Sequence, residues 1–155
     1  MVKALAVVLC SVVASTFGCA TGENSRNARN ERSPDVRVAE HDVFYLEVVT
    51  ADVQAASRFY SEAYGWHFMP EAPELGNARV ATLPGGSLCG IRAPMSDHER
   101  PIVRTYLRVA DVEVAVKKAA QLGATVALEP TDIPGRGRIA IYFIGGIEQG
   151  LWQVP

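Results

Sequence analysis

The sequence has little of what marks several classes of protein. Its 15 lysines and arginines stand against 17 aspartates and glutamates, giving a net charge of -2 without the concentrated basic surface of nucleic-acid-binding proteins. Its one long apolar run, Ala4 to Phe17, is shorter than the roughly 20 residues that a membrane-spanning helix needs. Only three cysteines and three histidines are present. These features argue against a nucleic-acid partner and against a permanent transmembrane helix.

The N-terminus has the pattern of an export signal. Lys3 precedes the uncharged apolar run, and small residues follow it. The segment Thr16 to Cys19 resembles the bacterial lipobox, in which a small residue precedes a cysteine that is lipidated. We therefore predict a lipoprotein-type signal peptide at residues 1–18, lipidation at Cys19, and a protein anchored to a bacterial membrane through its lipid. Ordinary secretion, or release into the periplasm, is the alternative.

The remaining cysteines give no internal cross-link. Cys10 leaves with the signal, Cys19 carries the lipid, and Cys89 is then alone. Residues 19–40 are rich in Asn, Arg, Glu and Ser, too polar to offset the entropy of ordering, so we predict a flexible tether. Residues 41–155 are long enough to form one domain with a core of its own.

That domain begins with a strand and a capped helix. Apolar and other residues alternate from Val43 to Val49, which predicts a strand, and Asp52 then caps a helix that Gly65 ends. Further strands are predicted at Trp66–Met69, Ala78–Leu83 and Leu88–Arg92, with Pro70 to Pro73 breaking regular pairing.

The same pattern returns about 59 residues later. Ile102 to Val109 alternates as a strand, Asp111 caps a second helix, and Gly123 ends it. Strands follow at Thr125–Leu128, Arg138–Ile144 and Leu151–Val154. The sequence therefore predicts two strand-helix-strand-strand-strand units, with Ala93 to Pro101 linking them.

These motifs resemble the vicinal oxygen chelate superfamily, which includes glyoxalases, bleomycin-resistance proteins and extradiol dioxygenases. The resemblance rests on the paired units, on Asp52 to Trp66, on Glu129 to Arg138 and on Gly150 to Gln153. The second half looks most like glyoxalase-like proteins. The resemblance implies an α+β fold in which two βαβββ units, about 41–95 and 101–155, form a cupped, incomplete barrel with helices outside. A homodimer often completes or extends such a cup.

The resemblance also implies one divalent metal, held by His, Gln or Glu on the first and last strands of each unit. Those positions fall on Tyr45 and Arg104 and near Gly90 and Val154, none of which is a useful ligand. Cys89 and Gln153 lie one step away, on the opposite face. We therefore expect no metal and no other cofactor. A divalent metal with displaced ligands, or one held by His41, His67 or His98, is the alternative.

The strand pattern gives the cup a polar and aromatic lining. If Phe44, Leu46 and Val48 pack under a helix, the intervening residues face inward. The predicted ligand-binding residues are Tyr45, Glu47, Arg104, Tyr106, Arg108 and Trp152. Guanidinium groups and rings suit a planar or anionic organic molecule. Alternatively, Glu47 pairs with Arg104 or Arg108 only to neutralise buried charge.

Two other features are interpreted as structural and not functional. Cys89 is interpreted as a buried apolar group and not a nucleophile. Pro134 to Arg138 lacks the residues of a phosphate-binding loop and is interpreted as a tight turn, from which Arg138 could reach the cavity rim.

We therefore expect an envelope protein that binds a small organic molecule in its cup. The alternative is a lyase, isomerase or oxygenase-type enzyme, metal-free or with displaced metal ligands. In its metal-free form Glu47 is the catalytic base, and Arg104 and Arg108 hold an oxyanion. An envelope scaffold with a vestigial cup is a third interpretation.

Overall fold

The computed structural model describes residues 38–155. The predicted signal peptide (1–18), the predicted lipidation site Cys19 and most of the predicted tether (19–40) lie outside the described residues. No helix within residues 38–155 has both the length and the apolar composition needed to cross a membrane.

Two similar halves make up the described part of the chain. The first contains β1 (Val43–Val49), α1 (Val53–Tyr64), β2 (Glu71–Ala72), a short 3-10 helix (Pro73–Leu75), β3 (Ala78–Thr82) and β4 (Leu88–Arg92). The second contains β5 (Ile102–Arg108), α2 (Val112–Gln121), β6 (Thr125–Ile133), β7 (Gly137–Ile144) and β8 (Ile147–Gln153). The predicted α+β fold of two βαβββ units is confirmed.

Both helices begin at the predicted caps. The side chain of Asp52 accepts from the Ala55 N–H at 2.8 Å, and that of Asp111 accepts from the Val114 N–H at 3.0 Å. Each cap satisfies a backbone donor that would otherwise lack a partner, a contribution of about 1 kcal/mol. Gly65 ends α1 in the left-handed conformation, with φ of 70°. The aspartate-to-glycine pattern therefore located both helices correctly.

One eight-stranded, open sheet joins the halves, in the order β2-β3-β4-β1-β5-β8-β7-β6. The antiparallel pairing of β1 with β5 at its centre sets Glu47 opposite Arg104 and Tyr45 opposite Tyr106. Apolar clusters cover the outer face: α1 packs over Val48, Cys89 and Ile91, whereas α2 packs over Ala140 and Leu151. The inner face remains as the cup.

The prediction of a strand at Trp66–Met69 is wrong. The Trp66 ring stacks on Tyr60 at 5.0 Å between centroids, so its apolar character serves packing against α1 and not strand pairing. Only Met69 makes a sheet-like contact, donating to the Val80 carbonyl at 2.8 Å. The second strand is instead Glu71–Ala72, inside the proline-flanked segment that was expected to break pairing, where it pairs with β3 at the sheet edge.

Two strand details also differ from expectation. β6 extends through Pro130 to Ile133, because it is an edge strand whose irregular register tolerates a proline. Phe44 does not pack under a helix with Leu46 and Val48. Its ring meets Trp152 at 5.5 Å between centroids, since the β1–β5 register shifts between Val43 and Tyr45.

Gly90 is required by close packing in the sheet. It lies beside Glu47 in the parallel pair of β1 and β4, and the Tyr45 ring covers it. A Cβ atom added at Gly90 would lie 1.7 Å from the Tyr45 hydroxyl oxygen. Gly150 plays the same part in the second half, where an added Cβ would lie 2.2 Å from the Tyr106 ring. Each buried tyrosine thus lies flat over a glycine.

We predict that Gly90→Ala destabilises the protein, because Tyr45 must leave its position or the strands must separate. Overpacking of this kind typically costs about 1–3 kcal/mol in the free energy of unfolding, measured by urea denaturation. Gly85→Ala is the matched control: its Cβ meets nothing within 4 Å, so stability should stay the same or rise slightly. Equal stability of the two variants would show that the Tyr45 ring does not pack closely over Gly90.

Candidate functional site

Five of the six residues predicted to line the cup meet on its inner face. Tyr45 and Glu47 come from β1, Arg104 and Tyr106 from β5, and Trp152 from β8, and all five are buried. Period-two alternation brings them there, because residues two apart on a strand share a face. That they bind a ligand stays a prediction.

Arg108, the sixth residue, does not join them. It lies at the end of β5, and its guanidinium donates to the carbonyl of Val38, in the segment that precedes β1. It is not among the residues that line the cup cavity. Its expected role in holding a ligand or an oxyanion is therefore not supported by its position.

Glu47 lies at the centre of the site, between two arginines. Arg92 Nε donates to Glu47 Oε1 at 2.6 Å, and Arg104 donates to Glu47 Oε2. The Tyr106 hydroxyl also donates to Oε2, at 3.1 Å. Both oxygens of this buried carboxylate are thus occupied by hydrogen-bond donors.

The pairing continues outward on both sides. Arg92 donates through its two terminal nitrogens to Glu99, at 2.8 and 2.6 Å, and Arg104 Nη2 lies 2.7 Å from Glu148. We call the sequence Glu99–Arg92–Glu47–Arg104–Glu148 the ion-pair chain. The ion-pair chain supports the interpretation that Glu47 neutralises buried charge. It also contains three residues that were not expected to take part: Arg92, Glu99 and Glu148.

Sequence reasoning missed Arg92, Glu99 and Glu148. Arg92 carried a usable signal, because it is two residues after the inward Gly90 on the same strand and therefore shares its face. Glu148 precedes the predicted last strand Leu151–Val154, whereas β8 begins at Ile147 and contains it. Glu99 is in the polar linker between β4 and β5, where no periodicity indicates the direction of a side chain.

Hydrogen bonds and charge determine the protonation of these groups. Hydrogen bonds from Arg92 lower the pKa of Glu99 from 4.5 to about 2, so this carboxylate is ionised at neutral pH. Burial raises the pKa of Tyr45 and Tyr106, and the negative charge of Glu47 raises both further. The tyrosines are therefore neutral hydroxyl groups.

The three buried rings of the cup contact one another. Tyr45, Tyr106 and Trp152 have centroid separations of 5.0 to 5.7 Å and interplanar angles of 53° to 74°. Such edge-on and tilted arrangements suit the charge distribution of aromatic rings. The Trp152 Nε1 donates to the Arg136 carbonyl at 2.8 Å, which fixes the indole.

A cavity of about 220 Å³ lies above these rings and the ion-pair chain. Its aliphatic wall consists of Leu75, Met95, Leu128, Ile133, Ile139 and Ile141. The volume is below the roughly 300–1,000 Å³ of sites for drug-sized ligands, so a smaller molecule fits. Larger grooves beside α2, of about 460 and 430 Å³, lie on the outer face and lack such a cluster of buried polar groups.

The residues in the cup do not fit a divalent cation. Two of the positions where the resemblance implies ligands are Tyr45, which is held neutral, and Arg104, which is positively charged. Gly90 has no side chain, and Val154 has no donor atom. Within residues 38–155, no three His, Cys, Asp or Glu side chains lie close enough together to hold a metal.

The other residues considered as candidates lie away from the cup. Cys89 is fully buried on the side that α1 covers, and burial raises the pKa of its thiol to about 11. Arg138 does not reach the cavity, since it pairs with Glu113 and Asp132 at 2.8 Å each. His41, His67 and His98 are exposed and contribute to no metal-binding cluster in the described part of the chain.

Comparison with known proteins assigns the chain to a family. Residues 44–139 match the family described as "Glyoxalase-like domain". The chain is 34% identical over 117 residues to "Putative glyoxylase CFP32" of Mycobacterium bovis and of Mycobacterium tuberculosis. The alignment covers 70% of this chain but only 44% of the length of those relatives.

Solved structures show the same fold at low sequence identity. Methylmalonyl-CoA epimerase from Mycobacterium tuberculosis superposes with a TM-score of 0.60 and 18% identity, over 73% of this chain and 87% of the epimerase. Hypothetical protein BH1468 from Bacillus halodurans superposes with a TM-score of 0.61 and 11% identity, over 74% of this chain and 94% of the other. At these identities the likeness establishes the fold alone.

We predict that Glu99 makes the stability of the protein sensitive to acid. The pKa of Glu99 in the folded state lies below its ordinary value. The contribution of Glu99 to the free energy of unfolding is therefore complete above about pH 4.5 and is lost as the pH falls toward 2. Glu99→Gln should therefore lose stability less steeply than the wild type over this window, as measured by urea unfolding at several pH values. Glu62→Gln, at an exposed position of α1, is the control. If Glu99→Gln follows the wild-type curve, Arg92 does not stabilise the Glu99 carboxylate.

Proposed function

Because the chain belongs to the glyoxalase-like family of the vicinal oxygen chelate superfamily, we propose that it is a cell-envelope protein that binds a small organic molecule in its cup, without a divalent metal. The envelope location rests on the N-terminal signal pattern and the lipobox-like Cys19. A membrane-anchored lipoprotein is the preferred form, with periplasmic or secreted protein as the alternative.

One observation carries the binding proposal: a cavity lies directly over a cluster of charges that is already paired. Arg92 and Arg104 donate to both oxygens of Glu47, which leaves this carboxylate little capacity to ligate a cation. The cavity beside them is lined by three aromatic side chains and an aliphatic wall. Enclosed, mostly apolar space with a few polar groups is typical of small-molecule sites.

Catalysis by Glu47 is less well supported. A general base needs a free lone pair within reach of a substrate proton, and both oxygens of Glu47 accept hydrogen bonds from other side chains. The predicted oxyanion partner Arg108 lies outside the cavity lining. The name of the glyoxylase relatives favours an enzyme, but this chain spans less than half of their length.

The test of the proposal is the metal content of the purified protein. We expect far less than one divalent metal ion per chain by inductively coupled plasma mass spectrometry, and an unchanged melting temperature after chelation with EDTA. A bound metal would instead stabilise the folded state by mass action, so its removal would lower the melting temperature. Refolding in the presence of zinc or manganese, followed by desalting, controls for loss of metal during purification. A stoichiometric metal that survives desalting would overturn the proposal.

A further inference from the structure

Resting on the proposed function, we infer that the cup takes an uncharged, ring-containing organic molecule and excludes organic anions of the same shape. Sequence reasoning allowed an anion because arginines face the cup. The surroundings of those arginines reverse that expectation.

Neither arginine has two adjacent nitrogens free to receive a ligand carboxylate. In Arg92, Nε donates to Glu47, Nη2 to Glu99, and Nη1 to both Glu99 and the Ala93 carbonyl. The terminal nitrogens of Arg104 are paired with Glu47 and Glu148. Its Nε has no partner among the described residues and almost no exposed surface, and it is a single donor. Capture of a carboxylate by two parallel hydrogen bonds therefore requires breaking an existing pair.

The charge balance of the ion-pair chain also opposes an anion. Three carboxylates and two guanidinium groups leave one net negative charge beside the cavity. Burial raises the pKa of Tyr45 and Tyr106, and the negative charge of Glu47 raises both further, although Arg92 and Arg104 act in the opposite direction. An anion placed over these rings meets the same two unfavourable effects, loss of hydration and repulsion.

The rest of the cavity suits an uncharged ring. Tyr45, Tyr106 and Trp152 offer faces and edges for aromatic contact, and the aliphatic wall lines the same cavity. The Tyr45 hydroxyl, neutral and placed over Gly90, is available to donate to one acceptor on the ligand. The volume of about 220 Å³ restricts the ligand to a small ring with few substituents.

Benzamide and benzoate test the inference, because they have the same shape and differ in charge. Titration of the full, isotope-labelled chain, followed by two-dimensional NMR, gives each Kd and locates the binding through the Gly90 and Gly150 amide signals. We expect benzamide to bind at least about tenfold more tightly than benzoate, which corresponds to about 1.4 kcal/mol.

A pair of variants separates charge from shape. Glu148→Gln removes one carboxylate of the ion-pair chain without touching the cavity lining, so benzoate should bind about tenfold more tightly than it does to the wild type, while benzamide changes little. Glu113→Gln is the matched control: its carboxylate pairs with Arg138 away from the cup, so neither affinity should change.

The outcomes distinguish this inference from the proposed function. Benzoate binding in the cup as tightly as benzamide overturns the inference but leaves a small-molecule site intact. Binding of neither probe at the Gly90 and Gly150 signals overturns the inference, whereas the proposed function is overturned by a stoichiometric metal. Unchanged benzoate affinity in Glu148→Gln, with benzamide binding retained as proof of folding, overturns the electrostatic basis of the inference.

Discussion

The pairing of buried Glu47 with Arg92 and Arg104 is the interaction on which the rest of the cup depends. A buried carboxylate is destabilising by several kcal/mol unless donors surround it, and here β4 and β5 each supply one guanidinium from opposite sides of β1. The pairing thus spans the junction of the two halves. Glu99 and Glu148 extend it to partly exposed ends, where desolvation is less unfavourable.

This arrangement limits what the cup can do. Because the arginines and carboxylates satisfy one another, little of their hydrogen-bonding capacity is left for a ligand or a metal. The Tyr45 hydroxyl, the rings and the aliphatic wall therefore form the usable surface. The same fold serves many chemistries, so function follows from these side chains and not from the sheet that carries them. In this chain they support the proposal that the cup binds a small molecule.

The sequence predicts those parts of the fold that depend on interactions between residues close together in the chain. The caps Asp52 and Asp111, the terminator Gly65 and the inward faces of β1 and β5 follow from hydrogen bonding and alternation, and the structure places them as expected. The strand prediction at Trp66 is wrong because an apolar side chain can stack on a helix as well as belong to a strand, and the local sequence does not distinguish the two. The two-residue β2 is set by its neighbour β3 and has no periodicity of its own.

The candidate site was only half predictable for a related reason. Tyr45, Glu47, Arg104, Tyr106 and Trp152 lie on strands whose alternation fixes the direction of each side chain. The position of the Glu99 side chain depends on how the linker between β4 and β5 folds back over the cup, which only tertiary structure determines. Arg108 follows the alternation but lies at the end of its strand, where its guanidinium donates to the Val38 carbonyl instead of facing the cavity.

A double-mutant cycle between Glu47 and Arg104 tests the central claim most directly. Glu47→Gln, Arg104→Gln and the double variant are compared with the wild type by urea unfolding. Each single change removes one partner of a buried charge, which keeps only its other partner in the ion-pair chain. Each should therefore destabilise the protein, by up to the roughly 3–5 kcal/mol that breaking a buried pair costs. The double variant should be less destabilised than the sum of the two, with a coupling of about 1–3 kcal/mol. A coupling near zero would show that Glu47 and Arg104 do not act as a pair, and would contradict the account.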